Sequence, residues 1–594
     1  MKILKFSSIL FLALALNLIS CNDDQFLEEN PTSFYTIDNA FSTPSQIDQV
    51  LVSIYSHIRD LWVNPSESTW LFNMKGKGTD MYDVPVIRLS NSFSDYSTIN
   101  ADHDTFYEVF TTWYYVINRA NLAIYAADLD NITWSSDEEK AYVLAQARFF
   151  RAFAYKNLAE LFGGVPIVTE ITTTARFDYE RSSRIETYQY AIDEMEAIVG
   201  DLPETTSNGG RLVKGAAYHN LAELYLAMGT EMEEEGESGA QTAYNQSVSY
   251  ADKVIDGGTY ALMDSRFGSR VNENQVAIDI YENGSTGNDV VDTIQFTPNY
   301  YWDLFQEDNV NYQDGNTECI WAAQIDYDAY KAEDTKSKLN YSRTYGPVFR
   351  DVAKTWFNGT LEDVGGRGVS QVNITMYTRD SIYAGDYADD MRNSDIVFRR
   401  RFKGNVSTSD HYKEIVPWSL MYNQSTDENT NINNRSEVYP VSCKIATDSY
   451  TGISDGENRS NLFRDDYIIR LPETILLRAE AKQRLGNKSG AAADVNLLRE
   501  RAQCGYMVTA DDMDDNFNTI LDERARELVY EEHRWNTLLR MGGTIAVDRI
   551  RKYAYWSATA ATLTFNFNLW PIPQTVIDTN KDVDIEQNEG WTNR

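Results

Sequence analysis

The chain is poor in cysteine and histidine, and basic residues are far fewer than acidic ones. Only four cysteines and five histidines occur among 594 residues. The cysteines are scattered and the histidines never take His-Glu-x-x-His spacing, so neither a disulfide framework nor a zinc-protease motif can be identified. Lysine and arginine total 53 against 89 acidic residues, a net charge of −36. Such an acidic surface repels phosphate backbones, which argues against a nucleic-acid partner.

Motifs of hydrolases and nucleotide-binding proteins are also missing. No Gly-x-Ser-x-Gly elbow occurs, and Gly365-Gly366-Arg367-Gly368 lacks the Gly-Lys-Ser/Thr of a phosphate loop. Residues 578–589 place oxygen ligands at the positions of a calcium-binding loop, but Val583 stands where the sharp turn requires glycine. We therefore predict no enzyme activity, no catalytic residue, no metal site and no cofactor. The sequence leaves open whether a structural calcium is bound.

The main apolar run lies at the amino terminus. Two lysines precede residues 6–19, a run too short to span a bilayer but of the length found in secretory signals. The run ends Leu18-Ile19-Ser20-Cys21, which resembles the lipobox of bacterial lipoproteins. We expect residues 1–20 to be a signal peptide. Cys21 would then be the lipidated first residue of the mature protein, anchored to the membrane through its acyl chains.

Helical periodicity dominates both ends of the mature chain. Apolar spacing and stop signals predict helices near 47–60, 105–129, 137–162, 184–199, 212–229, 242–255, 471–485, 489–502 and 516–539. The succession of paired helices, with Ala and Tyr at close-packing positions, is similar to tetratricopeptide-type repeats. We predict helical repeats over about 40–260 and 465–545.

Residues 260–460 lose this periodicity. Short β-like runs at 276–280 and 319–323 alternate there with loops rich in Asn, Asp, Ser and Gly, where function is often carried. Residues 64–105 are likewise predicted to be a long exposed loop, and the proline-containing tail 565–594 to be extended. The predicted fold class is mainly α: a tetratricopeptide-like helical-hairpin scaffold with a long irregular, partly β insert that carries binding loops. Residues 21–594 would form a single unit.

The densest group of charges lies on the predicted helix 516–539. Glu523, Glu527 and Glu531 share one face because they are four residues apart, and arginines are interleaved with them. Two such carboxylates could flank a sugar ring as a glycoside-hydrolysing pair. The arginines would keep both carboxylates ionised, which argues against a proton donor. We predict an ion-pair network between packed helices.

Aromatic residues are abundant, at 13% of the chain. Sugars present an apolar C–H face and a polar rim, so glycan-binding proteins combine exposed Trp or Tyr rings with polar side chains. Two regions, 70–96 and 327–356, have this composition, and we predict that they meet on one face. The candidate ligand-binding residues are Trp70, Asn73, Asp80, Tyr82, Tyr96, Tyr327, Tyr341, Arg343, Tyr345 and Trp356. A helix beginning at Pro347 would instead turn Trp356 inward.

Several separated segments share a recognisable pattern. They are residues 145–152 with Leu161-Phe162-Gly163-Gly164-Val165-Pro166, residues 466–473 with 479–481 and 496–499, residues 523–528 with Arg534-Trp535, and Leu569-Trp570-Pro571-Ile572-Pro573 with Gly590-Trp591. In this order they resemble the SusD/RagB family of Bacteroidetes outer-membrane nutrient-binding lipoproteins, and the resemblance covers most of the mature chain. Pro472 and Trp591 depart from the family's usual residues.

The resemblance implies a cell-surface lipoprotein that captures oligosaccharide or polysaccharide and delivers it to a TonB-dependent, SusC-like outer-membrane transporter. Its partners would be a glycan, that transporter and the membrane, reached through the amino-terminal lipid. Asn22-Asp23-Asp24 resembles the acidic signal that sends such lipoproteins to the cell exterior. The alternative is a peptide- or protein-binding assembly component, because helical repeats present grooves to protein segments.

Overall fold

The structure, a computed structural model, describes most of the chain after its amino-terminal segment. The described residues are 40–63, 69–83, 93, 95–284, 289–332, 334, 336–347, 355–358, 368–417, 439–446, 461–554 and 557–592. The predicted signal peptide and Cys21 lie outside them. Within these ranges every helix is too short or too polar to cross a membrane.

Helices form both ends of the described chain, and short strands lie mainly between them. The amino-terminal helices are α1 (Pro44–Val63), α2 (Thr69–Lys75), α3 (Asp104–Ala127), α4 (Asp137–Phe162), α5 (Arg184–Ile198), α6 (Lys214–Glu235) and α7 (Ala240–Ile255). The insert contains α8 (Tyr300–Asp303), α9 (Tyr327–Lys331), α10 (Tyr341–Tyr345) and α11 (Met376–Arg379). The carboxy-terminal helices are α12 (Leu471–Arg484), α13 (Lys488–Arg501), α14 (Asn518–Leu528), α15 (Arg534–Arg540), α16 (Ile545–Tyr553), α17 (Ser557–Thr562) and α18 (Gln574–Thr579). The prediction of a mainly helical scaffold is confirmed.

Local sequence signals fix the long helices. The Ser136 side chain accepts a hydrogen bond from the Glu139 backbone N–H at the start of α4, and Gly163 ends that helix with φ of 77°. Ser183 and Glu186 form a reciprocal capping box at the start of α5. Neighbouring helices in the series α3 to α7 pack against one another, and α12 packs against α7. The carboxy-terminal helices therefore extend the scaffold that the amino-terminal hairpins begin.

The strands form antiparallel pairs that join distant parts of the chain. In chain order the strands are β1 (Tyr82–Asp83), β2 (Val276–Tyr281), β3 (Val290–Phe296), β4 (Cys319–Ala323), β5 (Asn373–Ile374), β6 (Phe398–Arg399), β7 (Val441–Ser442) and β8 (Asp466–Arg470). β2 pairs with β3 as a local hairpin, whereas β1 pairs with β5, β4 with β8 and β6 with β7. In the β4–β8 pair, Ala322 lies opposite Tyr467. These pairs tie the insert to both helical ends.

Two sequence predictions about the carboxy-terminal region are wrong. The helix expected over 516–539 is broken between α14 and α15, where Tyr530 has φ of 69°. The break lets Glu531 bind Arg470 and Glu532 bind Arg524, at 2.9 and 2.7 Å. The tail expected to be extended contains α18, because a proline such as Pro573 is compatible with a helix start.

The main core lies between the two helical ends and includes the tail. Trp113, Trp321 and Trp535 are fully buried in it. Trp570 and Trp591 of the tail pack against Phe106 of α3, with ring centroids 5.3 and 5.5 Å away. The tail thus covers the amino-terminal helices.

Candidate functional site

The charged residues of α14 and its neighbours form a buried ion-pair network, as predicted. The Arg470 guanidinium lies 2.6 Å from Glu318, 2.8 Å from Glu527 and 2.9 Å from Glu531. Burial alone would raise the pKa of Glu523, but the guanidinium groups of Arg392, Arg499 and Arg526 lower it to about 2. A carboxyl held ionised in this way is a poor proton donor.

The exposed loop predicted over 64–105 is wrong for the described residues 69–83, which form α2 and β1 and are buried from 73 to 83. The Asn73 amide donates to Thr105 Oγ1 at 2.7 Å. Asp80 is fully buried and binds Arg534 at 2.6 Å and Arg549 at 2.9 Å. The prediction that Asn73 and Asp80 face a ligand is therefore wrong, because both are occupied by partners inside the protein.

The two tyrosines of this region are buried as well. Tyr82 is 1% exposed, and its hydroxyl accepts a hydrogen bond from the Tyr530 backbone N–H. The Tyr96 hydroxyl donates to the Gly78 carbonyl at 2.6 Å. Gly78 has φ of 84°, and a Cβ there would lie 3.1 Å from the Phe93 carbonyl oxygen. The left-handed backbone at Gly78 favours glycine, and the hydrogen bond to its carbonyl holds the Tyr96 hydroxyl inside the protein.

Three aromatic candidates of region 327–356 also lie in the core. The Tyr341 hydroxyl donates to the Trp62 carbonyl at 2.8 Å and accepts from Lys75 Nζ at 2.7 Å. Trp356 is 8% exposed, and its indole stacks on His411 at a centroid distance of 4.1 Å. Tyr345 is also buried. Residues 348–354, over which a helix from Pro347 would run, lie outside the described residues.

The two regions do meet, but inside the protein. The Tyr82 and Tyr345 rings lie 5.8 Å apart, and Tyr345 lies 5.0 Å from Tyr530. These rings belong to a second hydrophobic core, which consists mainly of insert residues. The prediction that the two regions meet on one exposed face is therefore wrong for Tyr82 and Tyr345, whose rings meet in the core.

Trp70, Tyr327 and Arg343 are the predicted residues that remain partly exposed. Trp70 packs one side against the main core. Tyr327 belongs to an aromatic group on the outside of the insert, which we call the Tyr327 cluster and which comprises Tyr327, Tyr330 and Phe463. The Phe463 ring lies 4.8 Å from Tyr327 and 5.1 Å from Tyr330. All three side chains are half-buried.

Local hydrogen bonds hold the Tyr327 cluster in place. Tyr327 and Tyr330 share one face of α9, and Asp326 caps that helix by accepting from two backbone N–H groups. Backbone hydrogen bonds of 2.8 and 3.1 Å join Leu339 to Leu462, next to Phe463. The cluster is therefore presented on a fixed turn. Phe463 was missed from the sequence, because no local pattern reports the pairing of Leu339 with Leu462.

Two lysines lie near the tyrosine rings, and a buried carboxylate lies at the start of the same segment. Lys331 Nζ lies 5.8 Å from the Tyr327 centroid, and Lys338 Nζ lies at the same distance from Tyr330. Burial raises the pKa of Asp465 to about 6, and its carboxylate accepts from the Ile325 N–H at 2.7 Å. Half-exposed rings with nearby cations and polar atoms suit a ligand with one apolar face and a polar edge. Among the residues that the structure covers, no three His, Cys, Asp or Glu side chains converge as a metal site.

Comparisons with known proteins agree with this architecture. The family model described as "SusD family" matches residues 317–591, and one described as "Starch-binding associating with outer membrane" matches residues 25–226. The starch-binding protein SusD of Bacteroides thetaiotaomicron is 24% identical over 503 residues, 81% of this chain and 78% of that protein. A SusD homologue from the same organism has a TM-score of 0.65 at 17% identity, over 93% of this chain and 98% of its own. Surface glycan-binding protein A of that organism, in complex with laminarihexaose, has a TM-score of 0.60 at 19% identity. The match covers 92% of this chain and 99% of that protein's chain.

Proposed function

The chain belongs to the SusD/RagB family, and from this premise we propose that it is a glycan-binding lipoprotein of the bacterial cell surface. It captures oligosaccharide or polysaccharide and passes it to a SusC-like, TonB-dependent transporter in the outer membrane. Lipidated Cys21 anchors it, and its binding face points to the cell exterior. The starch-binding name of one relative and the laminarihexaose complex of another support a sugar ligand.

The Tyr327 cluster carries the proposal. A pyranose ring can lay its C–H face on Tyr327 and Tyr330, which stand one helical turn apart on α9. The Tyr330 hydroxyl accepts from the Asn461 amide at 3.2 Å, which helps to hold the ring in position. Because the rings are already fixed by Phe463, binding costs little side-chain entropy.

Binding proceeds without catalysis in this proposal. The carboxylates with the spacing of an acid–base pair are those of Glu523 and Glu527, and both are fully buried among arginines. A sugar ring cannot reach them without unfolding of the network around α14. The proposed site binds and releases the glycan without changing it chemically.

A glycan microarray with the mature protein, followed by calorimetric titration of the best oligosaccharide, tests the proposal. Tyr327→Ala and Phe463→Ala should each weaken binding by about 1–3 kcal/mol, taking nucleobase stacking as a rough analogue. The melting temperature should change little for Tyr327→Ala, because surface truncations typically cost within about 0.5 kcal/mol. The matched control is Tyr125→Ala on α3, where the tyrosine is 40% exposed.

If Tyr327→Ala and Tyr125→Ala lose glycan affinity equally, the glycan site does not lie at the Tyr327 cluster. Absence of glycan binding together with tight peptide binding would favour the assembly role instead. The transporter step has its own test, which is co-purification of a TonB-dependent barrel with the tagged lipoprotein from outer membranes. Replacing Trp70 or Arg343 by alanine would show whether the ligand extends beyond the cluster.

A further inference from the structure

A cavity of about 330 Å³ lies on the helical scaffold and is built from elements other than those of the Tyr327 cluster. Its walls come from α3, from the loop between α4 and α5, and from α18 with the residues that follow it. The lining includes Phe110, Tyr114, Ile117, Phe177, Val576 and Ile585. Protein interiors are close-packed, so an apolar space of this size marks a place where a ligand can fit.

The polar groups of the inner wall are already engaged by the protein. The Tyr114 hydroxyl donates to the Pro166 carbonyl at 2.6 Å. The Asn121 amide donates to the Val168 carbonyl at 3.0 Å. Asn580 exchanges two hydrogen bonds of 2.9 Å with the Tyr179 backbone. The part of a ligand that enters the cavity must therefore be apolar.

The mouth of the cavity combines an exposed ring with a cation. Phe177 is 43% exposed, unusual for a phenylalanine, and its carbonyl accepts from the Asp582 N–H at 2.9 Å, which ties it to the tail. Arg176 also lines the cavity and pairs with Asp178 at 2.9 Å, with both side chains about half exposed. An exposed ion pair of this kind contributes little, so a ligand anion can replace Asp178 at small cost.

We propose that this cavity binds a planar aromatic ring that carries a carboxylate. The ring enters between Phe110, Tyr114 and Phe177, whose faces and edges suit edge-to-face contact with another ring. The carboxylate stays at the mouth and pairs with Arg176, whose planar guanidinium matches it in a bidentate geometry. The assignment does not depend on glycan binding at the Tyr327 cluster.

Calorimetric titration of the mature protein with trans-cinnamate tests the site. Val576→Phe, which fills the cavity from a half-buried position on α18, should weaken cinnamate binding at least tenfold. Val168→Phe, on the wall formed by the loop between α4 and α5, should do the same if the first variant proves unstable. The matched control is Val52→Phe on α1, where the valine is 47% exposed outside the cavity. It should bind cinnamate like the unaltered protein.

Two further measurements test the role of Arg176 and the independence of this site from the Tyr327 cluster. Arg176→Gln should weaken cinnamate two- to fivefold, about the range of an exposed ion pair, and leave cinnamyl alcohol unchanged. Tyr327→Ala should leave cinnamate binding unchanged, which separates this site from the proposed glycan site. Cinnamate binding that survives both cavity-filling variants would overturn the proposal. Equal affinity for cyclohexanecarboxylate would overturn the assignment to an aromatic ring.

Discussion

The Arg534 guanidinium lies 2.6 Å from the Asp80 carboxylate, although 454 residues separate them along the chain. Arg549 binds the same carboxylate at 2.9 Å. Burial alone would raise the pKa of Asp80, but the two guanidinium groups lower it to about 2. One carboxylate thus joins the turn after α2 to both α15 and α16.

Asp80→Asn should lower the free energy of unfolding by about 3–5 kcal/mol at pH 7, because two buried guanidinium groups lose their counter-charge. Urea denaturation measures this. Since the pKa of Asp80 is depressed in the folded state, the stabilisation is present above about pH 4 and is lost as the pH falls toward 2. The control is Asp128→Asn, which removes an exposed pair with Lys140. Equal effects of the two substitutions would contradict a structural role for Asp80.

Glu523→Gln should also destabilise the fold, by a few kcal/mol, since three buried arginines share this carboxylate. A melting curve records the loss. Incubation of the unaltered protein with its cognate glycan should release no shorter sugars. Product formation that disappears in Glu523→Gln would contradict a binding role without catalysis.

Glu160→Gln should change how stability depends on pH. Burial raises the pKa of Glu160 to about 7, so the folded protein keeps a proton that the unfolded chain loses near its ordinary value of 4.5. Stability therefore falls as the pH rises from about 4.5 to about 7. The glutamine variant lacks this titration and should gain on the order of 2 kcal/mol relative to the unaltered protein between pH 5 and pH 8. Parallel pH profiles of the two proteins would contradict the raised pKa.

Cys21→Ala should release the protein from the membrane fraction, because the variant has no thiol to accept a lipid. Immunoblots of separated membranes and soluble fractions measure this. Ser20→Gly is a suitable control because it leaves Cys21 in place, and this variant should stay membrane-bound. Retention of Cys21→Ala in the outer membrane would place the anchor elsewhere.

The long helices could be predicted because their signals are local. The α4 helix was predicted at 137–162 and occurs there, since its periodicity and its Gly-Gly stop lie within one stretch of chain. The break between α14 and α15 could not be predicted in this way. It depends on Arg470 and Arg524, which reach Glu531 and Glu532 from other elements.

The site was harder to predict because buried and exposed tyrosines can occur in local sequences of the same composition. Tyr82 and Tyr327 stand in similar polar stretches, yet Tyr82 packs beneath the insert and Tyr327 stands half-exposed on α9. What separates them is the set of long-range partners, such as Tyr530 for Tyr82 and Phe463 for Tyr327. No spacing within either region carries that information.

The packing of the tail on α3 has a consequence for how the chain folds. Trp591 is made long after Phe106, against which its ring packs. Likewise, β4 cannot pair until β8, which follows it much later in the chain, has been made. The amino-terminal hairpins can form early, but the apolar surface around Phe106 stays exposed until Trp570 and Trp591 have been made. Closure of these long loops should set the folding rate, as expected for a topology rich in distant contacts.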